Sequence, residues 1–328
     1  MELPPPLRAA LEATLGDRSD AAHVSNVRRL SEAYRKGCRG LLDVRAAEAY
    51  LIGRLPATYA AIGEALAETA HNFPASPRSL IDAGAGPGTA AWAATWLWPD
   101  IEKVTLVDAS RAMIDVGRRL ASLSGSRPLS QAAWIHGDLT GRWEPSQTAD
   151  LVIAAYSLGE LAPRDLLAAS RRLWDRSAEL LVVVEPGTPK GYRTVQAVRA
   201  ELIGRGAHTV APCPHDLTCP LEAPDWCHFG ARIARSASLR RAKAGVLPYE
   251  DEKFAYVALS PRLPDGPRWA RVLRRPELRP GHVRLRLCRA EGVDDAITPR
   301  SQGAAYRAAR KVRWGGSIRP DDRPPTEL

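Results

Sequence analysis

Apolar residues recur at helical spacing through the first 75 positions, in LRAALEATL, VSNVRRLSEAYRKG and AAEAYLIGRLPATYAAIGEALAETA, with short turns of Gly, Asp and Pro between them. The spacing predicts a helical cap over 1–75. Beyond it the pattern changes. Short, almost unbroken apolar runs alternate with segments of helical character: SLIDAGAGPG leads into TAAWAATWLW, and KVTLVDAS, AAWIHGDLT, ADLVIAAYSLGEL and AELLVVVEPG follow in turn. A strand that is apolar at nearly every position is covered on both faces, which predicts an α/β fold with a mostly parallel sheet between two layers of helices. FAYVALSPRLP reads as a late strand of that sheet. Further on, RWARVLRRPELRPGHVRLRLCRAEG alternates in two runs about RPELRPG, the pattern of a β-hairpin. Three regions result: the helical region 1–75, an α/β domain 76–260, and a C-terminal hairpin and tail 261–328.

The junction of the first strand with its helix carries a cofactor signal. Asp82, Gly84, Ala85, Gly86 and Gly88 make up a D-x-G-x-G-x-G loop. Glycine is required where a cofactor approaches the backbone closely, because a Cβ would block it. Position 89 is Thr, so the dinucleotide fingerprint G-x-G-x-x-G is not met. Asp108 ends the next strand, where a carboxylate can accept both hydroxyls of a ribose. Asp138 follows the third strand, within reach of an adenine amino group, and Tyr156 with Ser157 ends the fourth, beside the expected methyl donor. Asp108 and Asp138 would each also serve as a helix cap or turn residue. In register with the glycine loop they favour S-adenosylmethionine, and the expected fold is the Rossmann-like sheet of a class I S-adenosylmethionine-dependent methyltransferase.

Catalytic residues are not assigned. Amino-directed nucleic-acid methyltransferases place a polar residue, Pro-Pro and an aromatic after the fourth strand, where this chain has Ala155-Tyr156-Ser157-Leu158. A C5-cytosine enzyme needs a cysteine nucleophile, and no cysteine lies between Cys38 and Cys213. Glu160 and Glu185 are candidates for a polar role.

Cys213, Cys219 and Cys227 fall in APCPHDLTCPLEAPDWCHF, within a loop at 205–230 rich in Pro and short polar residues. Their gaps do not form the paired knuckles of a structural zinc site. Cys288, in the alternating run HVRLRLC, offers a distant fourth thiolate. Four soft sulfur donors suit a [4Fe-4S] cluster. A zinc site that recruits His215 or His228, a disulfide, and ordinary reduced thiols are the other readings. Cys38 lies in a helical stretch and reads as a small buried residue.

The chain carries a formal net charge of +9, and residues 262–328 hold sixteen Arg plus Lys against eight acids. The tract ARIARSASLRRAKAG adds cations without an acid. In the tail, Tyr306 and Trp314 interleave with Arg307, Arg310, Lys311 and Arg313, a mixture suited to RNA phosphates and unpaired bases; a solvated helix face is the plainer account. At 328 residues and 45% hydrophobic, the chain can bury a full core. No apolar run reaches membrane-spanning length and the N-terminus lacks a signal pattern, so the expectation is a cytoplasmic protein with neither a membrane nor a DNA partner.

With these motifs assembled, the chain resembles the methyltransferase-like assembly factors of the small ribosomal subunit, found in mitochondria and in bacteria. The resemblance covers most of the chain and rests on DAGAGPGTA, VTLVDAS, YSLGEL, VVVEPGTPKG, APCPHDLTCP with WCHF, KFAYVAL, RVLRRP with GHVRLRLC, and ARKVRWGG. It implies binding of S-adenosylmethionine, a [4Fe-4S] cluster on Cys213, Cys219, Cys227 and Cys288, and action on the small ribosomal subunit or its rRNA, by rRNA methylation, subunit assembly or both. A non-catalytic assembly factor that retains the cofactor pocket is the alternative. A small-molecule methyltransferase is a third, which the basic C-terminus disfavours.

Overall fold

The computed structural model describes residues 2–15, 43–141, 148–234, 248–266 and 268–318. Three helices come first. α1 (Pro5–Leu15) buries Leu7, Ala10 and Leu11. α2 (Val44–Gly53) starts at Asp43, whose side chain accepts the Ala46 N–H at 2.7 Å and so satisfies a donor that the first turn leaves free. α3 (Leu55–Asn72) has proline in its first turn, where no N–H is needed, and buries Tyr59, Ile62 and Leu66. The helix expected over VSNVRRLSEAYRKG, together with Cys38, lies outside the described residues.

The α/β part then runs β1 (Ser79–Ala83), α4 (Thr89–Leu97), β2 (Lys103–Asp108), α5 (Arg111–Ser122), α6 (Arg127–Ser130), β3 (Ala133–His136), β4 (Ala149–Ala155), α7 (Pro163–Trp174), β5 (Ser177–Pro186), α8 (Pro189–Ile203), β6 (His208–Ala211), β7 (Phe229–Ala234) and β8 (Tyr249–Ser260). In space the strands lie in the order β3-β2-β1-β4-β5-β8-β6, with β7 paired to the first half of β8. β1 to β5 are mutually parallel, whereas β8 runs antiparallel to β5, β6 and β7. Strand order reverses between β1 and β4, and the carboxyl ends of those two strands therefore open a crevice at the topological switch point.

Side-chain alternation divides the core between the two faces of this sheet. Leu151 and Ile153 of β4, with Leu180, Val182 and Val184 of β5, pack beneath α3 and α4. Val152 and Ala154, with Leu181 and Val183, face α7 and α8 on the other side. Each such aliphatic side chain contributes about 1.5–3 kcal/mol on burial. This is why continuous apolar runs, with no polar face, mark these strands in the sequence.

The C-terminal residues form β9 (Ala270–Val272), β10 (Glu277–Arg279), β11 (His282–Arg289), β12 (Gly292–Pro299), α9 (Ala304–Lys311) and β13 (Ser317–Ile318). Where the sequence predicts one hairpin, the structure has a five-stranded sheet. β11 is its centre: it pairs with β10, with β12 along its whole length, and with β9 at Leu287 and Cys288. β12 escapes the sequence pattern because only Thr298 of its eight residues is buried, so no apolar alternation betrays it. Val272, Val283, Leu285, Leu287 and Ala309 make a separate small core. Among the described residues no helix is long and apolar enough to cross a membrane.

Candidate functional site

The glycine loop turns where β1 ends and α4 begins. Gly84, Gly86 and Gly88 adopt φ of +73°, +55° and +85°, left-handed conformations that favour glycine. A Cβ on Gly84 would stand 2.3 Å from Cβ of Ser157, so this glycine lets the β4 turn close against β1. A Cβ on Gly86 would meet nothing within 4 Å, and it is the loop position open to a ligand. Ala85 is buried, its N–H bonded to the carbonyl of Val107.

The aspartates of this region have distinct partners. Asp108 accepts the Gly86 N–H through one oxygen and the Ser110 N–H through the other, both at 2.7 Å, and so ties the loop to the end of β2. Burial raises its pKa, partly opposed by those two amides. Asp82 is 1% exposed and accepts the Ala91 N–H at 3.1 Å, which directs it at the first turn of α4. Burial raises its carboxyl to about 7. Asp138 is exposed and accepts the Thr140 N–H at 2.7 Å in the turn after β3. His136, which the sequence reading passed over, stands beside Asp108 in register and approaches the Ala109 carbonyl at 3.0 Å.

At the end of β4, Tyr156 has φ of +56°, the sole non-glycine residue with positive φ among those described. Its hydroxyl donates to Glu252 of β8 at 3.4 Å. Arg54, between α2 and α3, forms a two-pronged ion pair with the same carboxylate, the closer contact being 2.9 Å. The side chain expected beside a methyl donor is thus tied to an ion pair. Glu185 is 2% exposed and accepts the Gly159 N–H at 2.9 Å, which holds the turn after β4. Glu160 is exposed at the end of that turn.

The cysteines converge. Cys213, Cys219 and Cys227 stand between β6 and β7, Cys288 stands on β11, and all four line one cleft together with Arg199 and Arg271. All four are free thiols. Burial pushes Cys213, Cys227 and Cys288 up, Cys288 to about 12, and neighbouring cysteines push the same way. Among the described residues no group of three or more His, Cys, Asp or Glu is drawn together so as to hold a metal ion. Four thiolates closing on one zinc would place their sulfurs about 3.8 Å apart, given zinc–sulfur bonds of about 2.3 Å. A polynuclear cluster would ask instead for sulfurs spread round a central volume; the cleft brings four thiols together with Arg199 and with Arg271, whose charge Glu68 already pairs. His228 stacks on Trp226 and accepts an edge contact with Trp314, away from a ligand's role; His215 approaches Cys288.

The C-terminal cations fall into two groups. On the sheet, Arg284 and Arg286 pair with Asp295 at 3.1 and 3.3 Å, Arg289 with Asp294 at 2.9 Å, and Arg275 with Asp251 at 3.1 Å. Arg232 also pairs with Asp251, and Arg274 with Asp225. On α9, by contrast, Arg307 and Lys311 are exposed without an acid partner among the described residues, and Arg310 lies over the Tyr306 ring. Arg313 pairs with Glu64 at 3.3 Å. The basic tract at 235–247 lies outside the described residues.

A parallel β3-β2-β1-β4-β5 sheet, an antiparallel strand inserted before β6, and a glycine loop at the switch point define a class I methyltransferase fold. Solved structures align with it at a distance: plantazolicin methyltransferase BpumL in complex with SAH, 12% identical with a TM-score of 0.43 over 78% of this chain and 95% of that one, and magnesium protoporphyrin IX methyltransferase (ChlM) from Synechocystis PCC 6803 with bound SAM, 13% identical with a TM-score of 0.39 over 74% and 97%. The chain belongs to the family described as mitochondrial small ribosomal subunit Rsm22, whose model matches residues 44–319. The human ribosome assembly protein METTL17, mitochondrial, is 30% identical over 285 residues, which are 81% of this chain and 61% of that protein. Rsm22-cox11 tandem protein 2, mitochondrial, of Schizosaccharomyces pombe is 24% identical over 321 residues, 81% of this chain and 42% of that protein. The chain therefore spans less than two thirds of the length of these relatives, 61% of the first and 42% of the second. Their names and the family description overturn the cytoplasmic expectation and point to the mitochondrion. That expectation rested on the lack of a membrane-length apolar run and of a signal or transit pattern in the first residues.

Proposed function

We propose that this chain is an S-adenosylmethionine-binding, iron-sulfur assembly factor that acts on the small ribosomal subunit or its rRNA. The observation that carries the reading is the convergence of four thiols, drawn from one loop and one distant strand, on a single cleft of a methyltransferase fold. Cys213, Cys219, Cys227 and Cys288 would hold a [4Fe-4S] cluster, which supplies a compact cross-link between two sheets and a one-electron couple. Gly86 and Asp108 would receive the ribose side of the cofactor, with Gly84 and Gly88 shaping the loop, Asp82 fixing α4 behind it, and Asp138 near the adenine. The name of the human relative, a ribosome assembly protein, supports the partner.

A second reading, rRNA methylation, shares the pocket. The Tyr156–Glu252–Arg54 arrangement favours work by binding over methyl transfer, because the residue at the donor's expected position is already engaged by an ion pair.

Anaerobically purified protein is expected to hold about four irons and four sulfides per chain, to bind S-adenosylmethionine in calorimetry, and to sediment with immature small subunits. Stoichiometric zinc without acid-labile sulfide would overturn the cluster. Failure to associate with small-subunit particles would overturn the partner.

A further inference from the structure

Two of the four thiols have a hydrogen-bonding neighbour, and a third has a guanidinium beside it. The Tyr192 hydroxyl, from the first turns of α8, lies 3.2 Å from Sγ of Cys219. Nε2 of His215 lies 3.8 Å from Sγ of Cys288. Arg199 stands two turns along α8 from Tyr192, hence on the same helix face, and lines the cleft with Cys213. A neutral thiol can donate or accept in such pairs. A metal-bound thiolate can only accept, so the phenol and the imidazole must then be the donors.

Arg199 adds a sharper observation. It is 3% exposed, and its Nη2 donates to the carbonyls of His215 at 2.7 Å and Leu217 at 2.9 Å, yet its Nε–H is buried with no partner. A buried donor left without an acceptor loses its hydration with nothing in return, so such groups are few and call for an occupant. Arg271, 4% exposed, lines the same cleft, but its guanidinium is already engaged by Glu68 and by the Pro212 and Gly315 carbonyls. A cubane core of charge +2 on four thiolates is a dianion. The wall presented to it holds the unpartnered Nε–H of Arg199 and the Tyr192 hydroxyl, with His215 beside Cys288.

We propose that Tyr192, His215 and Arg199 form a donor shell for the cluster, with the free Nε–H of Arg199 reserved for one of its sulfurs, and that this shell sets the cluster's reduction potential and retention. The inference rests on the cluster reading above and goes beyond it in assigning positioning residues. Donors to sulfur withdraw electron density and stabilise the more negative, reduced core, so they raise the potential. Removing one lowers it.

The test uses the full chain, loaded anaerobically with iron and sulfide, as wild type, Tyr192→Phe, Arg199→Met and Arg199→Lys. Iron and sulfide are counted first, then the midpoint potential is read by a redox titration followed by electron paramagnetic resonance. Tyr192→Phe and Arg199→Met are expected to keep the cluster and to lower the potential, Arg199→Met by a tenfold change in the one-electron equilibrium, which is 59 mV. Both should release iron to a chelator several-fold faster, and Arg199→Lys, which keeps the charge, should recover part of the shift. If Arg199→Met does not fold, Tyr192→Phe carries the test, since it removes one hydroxyl from a half-buried ring. Loaded variants with wild-type potentials and release rates overturn the shell while leaving the cluster. A wild-type chain that takes up neither iron nor sulfide overturns both.

Discussion

The guanidinium of Arg271 donates to the carbonyl oxygen of Pro212 at 2.7 Å, although one residue belongs to the C-terminal sheet and the other follows β6 of the main sheet. The same side chain donates to the Gly315 carbonyl at 2.7 Å and pairs with Glu68 of α3. One buried cation therefore joins the C-terminal sheet, the cysteine loop, the tail and the helical cap. It also stands opposite Cys288 in the β9–β11 register, so the joint lies beside the thiol cleft.

Arg271→Met is expected to destabilise the apo-protein by about 3–5 kcal/mol, the usual cost of leaving one member of a buried ion pair alone. Glu68, 13% exposed, would lose its counter-ion, and two carbonyls would lose a donor. Urea denaturation of Arg271→Met beside the double variant with Glu68→Gln measures this. A double variant no more stable than the single one would show that the stranded charge is not the cost.

How much of this was legible in the sequence follows from how local each feature is. Strands β1 to β5 and β8 and the glycine loop are local patterns and are readable in the sequence, whereas the short β6 and β7 are not. The four cysteines could be grouped by their thiol chemistry, though only the fold places Cys288 in the same cleft as the loop cysteines. Arg54 and Glu252 are 198 residues apart and Glu68 and Arg271 are 203 apart, so nothing in spacing pairs them. Charge counting gives the net balance but not the pairing. Which cations stay unpaired depends on the fold: Asp294 and Asp295 on the facing strand pair with Arg284, Arg286 and Arg289, and that strand has no apolar alternation to reveal it.

Asp82 provides a pH-dependent test. Its folded-state pKa is raised to about 7 by burial from an ordinary value near 3.8. A raised value means that the favourable contribution is fully present below the unfolded pKa and is lost as pH rises through about 7. Asp82→Asn keeps an oxygen for the Ala91 N–H and cannot ionise. Its stability relative to wild type should grow between pH 4 and pH 7 and level off above, reaching on the order of 2–4 kcal/mol. Melting curves from pH 5 to pH 8 check the trend, and a constant difference across that range would contradict it.

Asp108→Ala should weaken S-adenosylmethionine binding at least tenfold, on the order of 1.5–3 kcal/mol for lost charge-assisted hydrogen bonds. Part of that loss comes through the loop, because Asp108 also holds the Gly86 N–H. Asp108→Asn, which retains one acceptor oxygen, should fall between alanine and wild type in isothermal calorimetry. Wild-type affinity in the alanine variant would remove Asp108 from the site.

The two groups of C-terminal cations predict different salt responses. Arg307 and Lys311 are separated by four residues on α9, so they share a face, and neither has an acid to neutralise it among the described residues. Each phosphate contact on duplex RNA or DNA adds roughly 0.9 to the slope of log affinity against log salt, and about 0.7 on a single strand. Replacing Arg307, Arg310 and Lys311 by alanine should flatten the slope for small-subunit RNA by about 2 while leaving S-adenosylmethionine binding intact. Arg284→Ala with Arg286→Ala removes cations already paired with Asp295, and should change the slope much less. Filter binding across a salt series decides between them. If the sheet variant flattens the slope as much as the helix variant, the ion pairs open on binding and α9 is not the principal RNA contact.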